Sequence, residues 1–555
     1  MLKDFVNDLV AQALDRAKEK GGLALAVPQN IIIEEPKDKS LGDFATTIAM
    51  QLAKSEKKNP KVIAQAIAVE IREQKQWVES VNVAGPGFIN IKMNRQFYLT
   101  RLKQVAAQGD AIGQSGVGQN KTVLLEFVSA NPTGPLHVGH GRGAAVGHAL
   151  SCLLKMAGYQ VATEYYLNDV GNQMNMLGRS TWLRYQEQLG KKIDFPEDAY
   201  RGQYIKDIAQ KIIEKDGDKH LGKSDEEALD FFKDFSKDFI LEGIKSDLKE
   251  FRVEFDCWFS EKSLYDDSSV DNAITWLREK NYIYEKDGAT WLKSSAFQDD
   301  KDRVIIKQSG EKTYFCSDIA YHKNKIDRGF EIILDIWGAD HHGYVARMNA
   351  VLEAMNYDSD VFKVLLIQFV SLWRGGEKVA MSTRAGEFET LADVVKEVGV
   401  DATRFFFLMR SADSHLDFDM ELAKKESPEN PVYYIQYAHA RICSVFRAAE
   451  EQGVPPLDPN VVDLSYLQEE SEFALIKKIL SYEDCIEKSA LTLEIHRIAF
   501  YLQELVSIFH SYYKQHRFVT DNRELTLARL LLVDCLRRVI ASGLSILGVS
   551  APEKM

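Results

Sequence analysis

The sequence has no long hydrophobic run. None of its apolar stretches approaches the roughly 20 residues that a membrane-spanning helix needs. Residues 1–20 carry Leu2, Phe5, Val6 and Leu9 at the spacing of an amphipathic helix, whereas a signal peptide has a continuous apolar centre. We therefore predict a cytoplasmic protein with no membrane partner.

Cysteine is scarce and scattered. No C-x-x-C pair occurs, and no histidine cluster accompanies the six cysteines, Cys152, Cys257, Cys316, Cys443, Cys485 and Cys535. Neither a disulfide framework nor a zinc site is predicted. We expect no protein-bound metal and no prosthetic group; a metal ion would arrive as Mg²⁺ with a nucleotide.

The chain also lacks an excess of positive charge. Its 82 acidic and 69 basic side chains give a net charge of −13, which argues against indiscriminate nucleic-acid binding. We expect no DNA partner. A selective RNA partner stays possible, because net charge does not show where the basic groups lie. The length of 555 residues allows three or four domains.

A strand–loop–helix segment occupies residues 123–154. Val123 to Val128 reads as a buried strand, a turn rich in Asn, Pro and Gly follows, and a small-residue helix opens at about His137. The start of a helix attracts phosphate groups. Gly139 removes a side chain there, and His137 and His140, three residues apart, share one side of the first turn. The tetrapeptide H-x-G-H alone could still arise by chance.

The surrounding run S-A-N-P-T-G-P-L-H-V-G-H extends the pattern. It resembles the HIGH signature of class I aminoacyl-tRNA synthetases, and at Ser129, Asn131 and Pro132 it is similar to arginyl-tRNA synthetases. The resemblance implies an α/β fold with a class I Rossmann-type parallel-sheet catalytic domain. It also implies ATP binding at His137, Gly139 and His140, with both histidines catalytic.

The following segments fit a parallel sheet interrupted by an insertion. A second strand at 161–167 completes a βαβ unit, whose ligand would lie at the carboxyl ends of the strands. Helices then dominate from about 181 to 253, including a capping box formed by Ser224 and Glu227. The strand pattern resumes at 255–261, 290–292, 303–307, 313–318, 332–337 and 364–369.

Three polar side chains stand where these strands are predicted to end. Glu261 follows one strand, and Tyr314 and Asp318 end another. Paired carboxylates suit a planar guanidinium, although from spacing alone solvated loop acids are the commoner outcome. W-F-S-E and T-Y-x-x-x-D resemble the arginine-contacting segments of the family. The resemblance therefore implies an arginine site made of Ser129, Asn131, His140, Glu261, Tyr314 and Asp318.

The nucleotide side of the site is expected in two later segments. In W-G-A-D-H-H-G-Y, Asp340 could accept hydrogen bonds from a ribose, with His341 nearby. The loop at 374–388 resembles the second class I signature, KMSKS, in its M-S-T-R form, with Met381 and Ser382 as ATP ligands. Ala380 and Thr383 occupy the two lysine positions, so Lys378 and Arg384 become the candidate catalytic cations.

The two ends of the chain resemble the tRNA-binding parts of the same family. The segments at 42–50 and 84–91 are similar to its N-terminal α+β domain, which grips the outer corner of tRNA, and they place Phe88 and Asn90 there. We predict helices at 432–450, 464–485, 491–515 and 523–547, as in its helical anticodon-binding domain. Most apolar positions in this bundle must be core, but one segment joins aromatic and basic residues as an RNA-binding face would: Tyr433, Gln436, Tyr437 and Arg441.

Together these observations predict four parts. They are an α+β domain at 1–112, a Rossmann-type domain at 113–373 with the insertion at about 181–253, the signature loop and a connecting segment at 374–427, and a helical bundle at 428–555. The implied activity is ligation of L-arginine to tRNA(Arg) with ATP, by a monomer. A small-molecule nucleotidylyltransferase would not need the bundle, and a non-catalytic RNA-binding relative would not keep the histidines.

Overall fold

The fold is described from a computed structural model that covers residues 2–23, 31–357, 360–379 and 389–555. None of the helices in these ranges combines the length and the apolar character that crossing a bilayer requires.

The N-terminal region is an antiparallel sheet covered by helices. Its elements are α1 (Leu2–Glu19), β1 (Ile33–Glu34), β2 (Phe44–Thr46), α2 (Ile48–Glu56), α3 (Pro60–Arg72), β3 (Val78–Ala84), β4 (Phe88–Met93) and α4 (Arg95–Gln108). The strand order is β1-β2-β4-β3. Phe44 to Thr46 pair with β4 as a strand, and α2 begins two residues later, at Ile48.

A βαβ unit followed by three helices comes next. These elements are β5 (Thr122–Glu126), α5 (Val138–Met156), β6 (Gln160–Leu167), α6 (Asn172–Gln188), α7 (Gln203–Asp216) and α8 (Asp225–Glu250). The predicted capping box at the start of α8 is present: Ser224 N donates to Glu227 Oε2 over 2.9 Å, and Glu227 N donates to Ser224 Oγ over 3.3 Å. Helices α6, α7 and α8 thus fill most of the chain between β6 and residue 257.

The next region completes the parallel sheet. Its elements are β7 (Cys257–Ser260), α9 (Glu261–Asp266), α10 (Ser269–Glu279), β8 (Ile283–Lys286), β9 (Ala289–Leu292), β10 (Arg303–Ile306), α11 (Tyr314–Asp327), β11 (Ile332–Gly338), α12 (His342–Ala354) and β12 (Phe362–Ile367). The order β12-β11-β5-β6-β7 is parallel throughout. β5 is central, so the loop that follows it opens at the middle of the carboxyl edge.

One strand prediction in this region was wrong, and two predicted strands lie in a different sheet. The segments at 290–292 and 303–307 form the strands β9 and β10, but these belong to a separate antiparallel sheet of order β10-β9-β8. The segment at 313–318 is not a strand: it begins α11. The buried residues Phe315, Cys316, Ile319 and Ala320 recur at helical spacing, and this periodicity outweighs the strand preference of Tyr and Phe.

A small mixed sheet connects the parallel sheet to the C-terminal bundle. The connecting elements are β13 (Val370–Arg374), β14 (Glu377–Lys378), α13 (Leu391–Val398), α14 (Val400–Leu408), β15 (Leu416–Asp419) and α15 (Met420–Lys424). The strand order of this small sheet is β14-β13-β15. Arg142 joins α5 to this connecting region, because its buried guanidinium donates to the carbonyls of Gln368, Ser411 and Ser414.

The C-terminal bundle consists of α16 (Pro431–Glu451), α17 (Glu470–Leu480), α18 (Tyr482–Thr492), α19 (His496–Gln515) and α20 (Arg523–Ile546). The single helix expected at 464–485 is broken at Ser481. The N-terminal region packs against this bundle: Arg95 donates to Gln468 and Glu470, and Lys477 forms an ion pair with Asp43 at 2.6 Å. Helix α4 therefore lies at the contact between the N-terminal region and the C-terminal bundle.

Candidate active site

The predicted histidine pair forms the start of α5. His137 is the N-cap residue, and its Nδ1 accepts hydrogen bonds from Gly139 N at 3.1 Å and His140 N at 3.4 Å. In return, His137 N donates to His140 Nδ1 at 3.3 Å. The rings stack with centroids 3.7 Å apart. A Cβ at Gly139 would lie 2.9 Å from the His137 ring, so only glycine fits between the two histidines.

These contacts also define the protonation of the two rings. Burial lowers the pKa of His137. Burial, together with the neighbouring His137 ring, lowers the pKa of His140 to about 3. Both rings are therefore neutral near pH 7. Because each Nδ1 accepts a hydrogen bond, each Nε2 carries the single ring proton. The helix start presents two neutral N–H donors.

Glu261 begins α9 directly after β7, as the sequence predicted, and it is only 2% exposed. Burial raises the pKa of its carboxyl to about 7. With its amide oriented to satisfy both neighbours, Asn168 donates to Glu261 Oε2 at 3.1 Å. Asp169 holds the residues on either side of Glu261, since it accepts hydrogen bonds from Ser260 Oγ at 2.7 Å and Lys262 N at 3.0 Å.

Tyr314 and Asp318 lie in the first turns of α11 instead of at a strand end. Their spacing of four residues still places them on one side of the helix. Tyr344 donates its hydroxyl proton to Asp318 Oδ2. Burial raises the pKa of Asp318, as it does for Glu261. Within the described part of the chain neither carboxyl forms an ion pair, so both are suited to receive a cation.

Ser129 and Asn131 follow β5 in a constrained turn. Val128 and Ser129 both have positive φ, 68° and 42°, which non-glycine residues seldom adopt. Ser129 Oγ donates to Glu126 Oε1 at 2.8 Å and accepts from Tyr166 N at 3.1 Å. Asn131 Nδ2 donates to Gln173 Oε1 at 2.7 Å. The Ser129 hydroxyl proton is therefore directed inward, toward the sheet.

Asp340 and His341 lie in a short 3₁₀ turn directly after β11. Their side chains are exposed and 3.5 Å apart. The Asp340 side chain folds back over Gly338, where a Cβ would collide with it. The position after a parallel strand is the one expected for a nucleotide ligand.

One cavity of about 670 Å³ brings these groups together. It is lined by His137, His140, Glu261, Asp318, Asp340 and His341, among others. Ser129, Asn131, Gly139 and Tyr314 also line it. A second cavity, of about 890 Å³, shares Glu261, Tyr314 and Tyr344 with the first. The lining residues that sequence reasoning missed include Asn168, Gln173, Tyr344 and Phe369. Phe369, which follows β12, is 61% exposed. The only sequence signal for it was a Phe at the end of the predicted strand 364–369.

The signature loop is only partly within the described residues. Met381, Ser382 and Arg384 lie outside them. Lys378 lies on β14, exposed, opposite Trp373 of β13. At the base of the loop, Arg374 forms ion pairs with Glu389 at 3.2 Å and Glu397 at 2.7 Å.

Some of the residues predicted to contact tRNA are exposed. Phe88 is 39% exposed on β4. Tyr433 and Tyr437 stack on α16 with centroids 6.2 Å apart, and the Arg441 guanidinium lies 4.6 Å from the ring centres of both Tyr437 and Tyr513.

Two of the residues assigned to tRNA are buried. Asn90 is 4% exposed within the N-terminal sheet. Gln436 donates to Asp401 Oδ2 at 2.8 Å and to the Ser550 carbonyl at 3.0 Å. Their burial is at odds with a direct contact to RNA, because both side chains face protein.

Comparisons with known proteins agree with this arrangement. The family model for the catalytic domain of class I tRNA synthetases (R) matches residues 101–411. The arginyl tRNA synthetase N terminal domain matches 4–93, and the DALR anticodon binding domain matches 435–555.

Individual relatives match over the full length. The arginine–tRNA ligase of Syntrophotalea carbinolica is 48% identical over 554 residues, and that of Bacillus subtilis is 46% identical over 557 residues, each match covering 100% of both chains. The solved Thermus thermophilus arginyl-tRNA synthetase superposes with a TM-score of 0.76 at 21% identity, covering 100% of both chains, and so shares the fold. The chain therefore belongs to the arginine–tRNA ligase family, the arginyl-tRNA synthetases of class I.

Proposed function

We propose that this protein activates L-arginine with ATP and transfers the arginyl group to the 3′-terminal ribose of tRNA(Arg). One observation carries the proposal: the carboxyls of buried Glu261 and half-buried Asp318, which form no ion pair with any described residue, share a cavity with the paired histidines at the start of α5. The two carboxyls suit a guanidinium, and the two histidines at the start of a helix suit a phosphate.

Arginine binding would place the substrate guanidinium between Glu261 and Asp318. Each carboxylate then gains a charge-assisted hydrogen bond that offsets the cost of its burial. Tyr344 holds Asp318 in place, and Asn168 holds Glu261. Tyr314 would close the pocket from its exposed side, and Asn131, oriented by Gln173, would contact the polar end of the substrate.

Adenylation requires no protein nucleophile. An oxygen of the arginine carboxylate attacks the α-phosphorus of ATP, the bond to the bridging oxygen breaks, and pyrophosphate leaves with its Mg²⁺. Negative charge on the phosphate oxygens grows during this step. The Nε2–H groups of His137 and His140, with the N–H groups of the α5 start, would stabilise that charge. Asp340 would hold the ribose, and Phe369 offers an exposed ring to the adenine.

Transfer then requires a bound tRNA. A terminal ribose hydroxyl attacks the arginyl carbonyl and gives up its proton to the departing phosphate, and AMP leaves with the electron pair of the broken mixed-anhydride bond. We assign the elbow of tRNA to the face around Phe88, and the anticodon to the face formed by Tyr433, Tyr437 and Arg441. Asn90 and Gln436 are left out because they are buried. We further propose the domain division stated above, a cytoplasmic location and a monomeric enzyme.

Charging of tRNA with each of the twenty amino acids in turn tests this function. We expect arginine alone to be esterified, with AMP and pyrophosphate released in equal amounts. Charging by another amino acid, or ATP cleavage without any charging, would refute the assignment.

The affinity for arginine should depend on pH. Because the pKa of Glu261 is raised to about 7, lowering the pH from 8 to 6 protonates the carboxyl in the free enzyme, and arginine must then displace that proton. The arginine KM should rise about tenfold over this range. His140, with a pKa of about 3, does not titrate there. In Glu261→Gln the arginine KM should be higher and nearly flat with pH; a flat wild-type profile would contradict the role of Glu261.

The signature loop should supply one cation to the leaving pyrophosphate. A guanidinium holds two phosphate oxygens at once, and Lys378 is exposed on β14. We therefore expect Arg384→Ala to slow adenylate formation by roughly 10²-fold, and more than Lys378→Ala, with the double variant slowest. Lys121→Ala, at the opposite end of the sheet before β5, is the control. Wild-type rates in all three loop variants would show that no loop cation is catalytic.

A further inference from the structure

A buried ion cluster lies directly behind the arginine pocket. Lys325 of α11 is 0% exposed, and its Nζ donates to Glu126 Oε2 at 2.5 Å and to Asp335 Oδ1 at 2.7 Å. Glu126 and Asp335 are register partners on the adjacent strands β5 and β11. Lys325 thus connects α11 to the two central strands of the sheet.

One branch of the cluster leads to the Ser129 turn. Glu126 uses Oε2 for Lys325 and Oε1 for the Ser129 hydroxyl, at 2.8 Å. That turn contains two consecutive residues of positive φ, Val128 and Ser129. Such a conformation persists only where the surroundings hold it. The Lys325–Glu126–Ser129 chain is one such restraint on the turn that presents Asn131.

The other branch leads to Asp318. Asp335 Oδ2 lies 3.1 Å from His322 Nε2, and His322 Nδ1 lies 2.9 Å from the Asp318 carbonyl oxygen. Each ring nitrogen of His322 therefore faces an oxygen atom, so the ring bridges Asp335 and the first turns of α11. Asp318 and Lys325 are seven residues apart on α11, so they share one face of the helix.

We propose that Lys325 is a positioning residue that sets the distance between the two sides of the arginine pocket, the Ser129–Asn131 turn and Asp318. It does not line the cavity and touches no reacting group in the proposed mechanism. Its effect is exerted through Glu126 and through Asp335 with His322. The inference rests on the proposed function, because it concerns the recognition of arginine in that same pocket.

Two variants test this role. Lys325→Met removes the bridge but leaves Glu126 and Asp335 uncompensated, which favours unfolding. The double variant Lys325→Met/Glu126→Gln also removes one carboxylate, so that Asp335, which keeps its contact with His322 at 3.1 Å, is the only carboxylate left without Lys325. The arginine KM and the ATP KM are measured in tRNA-dependent activation, beside the thermal unfolding midpoint. We expect the double variant to regain stability over the single variant while its arginine KM stays about tenfold above wild type and its ATP KM changes less than about twofold.

Arg529→Met is the matched control. Arg529 Nε donates to Glu472 Oε1 at 2.9 Å in a similarly buried ion pair of the C-terminal bundle. It should lower the unfolding midpoint without raising the arginine KM.

Three results would overturn the proposal. The first is a wild-type arginine KM in the double variant, and the second is an equal rise of the arginine and ATP KM values. The third is failure of both variants to fold, which would assign Lys325 to stability alone. If the wild-type protein does not activate arginine, it is the proposed function that fails.

Discussion

His140→Ala should lower the rate of arginyl-adenylate formation by about 10²–10³-fold, the range for loss of one donor that acts on transition-state charge. The Nε2–H of His140 interacts with charge that grows only as pyrophosphate leaves. Removing it should therefore reduce kcat and kcat/KM together and leave arginine affinity nearly unchanged. Single-turnover formation of the adenylate, with saturating arginine and ATP, measures this rate.

His137 requires a separate variant because it has a second role. Its Nδ1 caps α5, so His137→Ala also costs about 1 kcal/mol of stability, whereas His137→Asn keeps a capping acceptor. We expect both variants to slow adenylation, and only the alanine variant to lower the unfolding midpoint. Wild-type single-turnover rates in the His137 and His140 variants would refute the assignment of α5 to the α-phosphate.

Glu261→Gln and Asp318→Asn should each raise the arginine KM by roughly 10–10²-fold, since a hydrogen bond between charged groups is worth about 1.5–3 kcal/mol. The amide keeps the shape of the side chain but not its charge, so the ATP KM should change little. The discrimination against citrulline, which has no positive charge on its side chain, should narrow in the same variants.

Asp247→Asn provides the matched control. Burial also raises the pKa of Asp247, to about 6, but this carboxyl lies on α8, outside the cavity. Its amide variant should keep the wild-type arginine KM. A wild-type KM in both pocket variants, or an equal rise in the Asp247 variant, would mean that arginine binds elsewhere.

Contiguous motifs were the most predictable part of the site. A strand, a Gly-rich turn and H-x-G-H are local features, so the sequence placed His137 at the start of α5 and Glu261 directly after β7. Tyr314 and Asp318 were also assigned to the site although α11 was taken for a strand. Their spacing of four residues brings them together on a helix, and the family resemblance, not the predicted strand, carried that assignment.

Contacts between distant segments were not predictable. Gln173 meets Asn131, and Tyr344 meets Asp318, only because separate elements converge at the carboxyl edge of the sheet. Gln436 is the opposite case, in which the sequence suggested an RNA contact and the fold buries the side chain. It sits among aromatic residues in the sequence, but α16 turns it toward Asp401 and the C-terminal segment, and a single helix pattern cannot show which polar residue faces another part of the protein.

The packing of α4 also changes how the N-terminal region should be tested. In the sequence this region looks separable up to about residue 110, but Arg95 and Asp43 form ion pairs with the bundle residues Glu470 and Lys477. Removing α4 would take away its own buried apolar side chains, among them Phe97 and Leu102, and uncover the faces of α17 and α20 against which it packs. Point variants around Phe88 are therefore the cleaner test of tRNA binding.

The most direct test of the central claim is an experimental structure with a non-hydrolysable arginyl-adenylate analogue. We predict that its guanidinium lies within hydrogen-bond distance of Glu261 and Asp318, and that the phosphate-mimicking group lies beside Nε2 of His137 and His140. A guanidinium placed away from both carboxylates, or an adenylate group away from the start of α5, would contradict the assignment of this cavity to arginine activation.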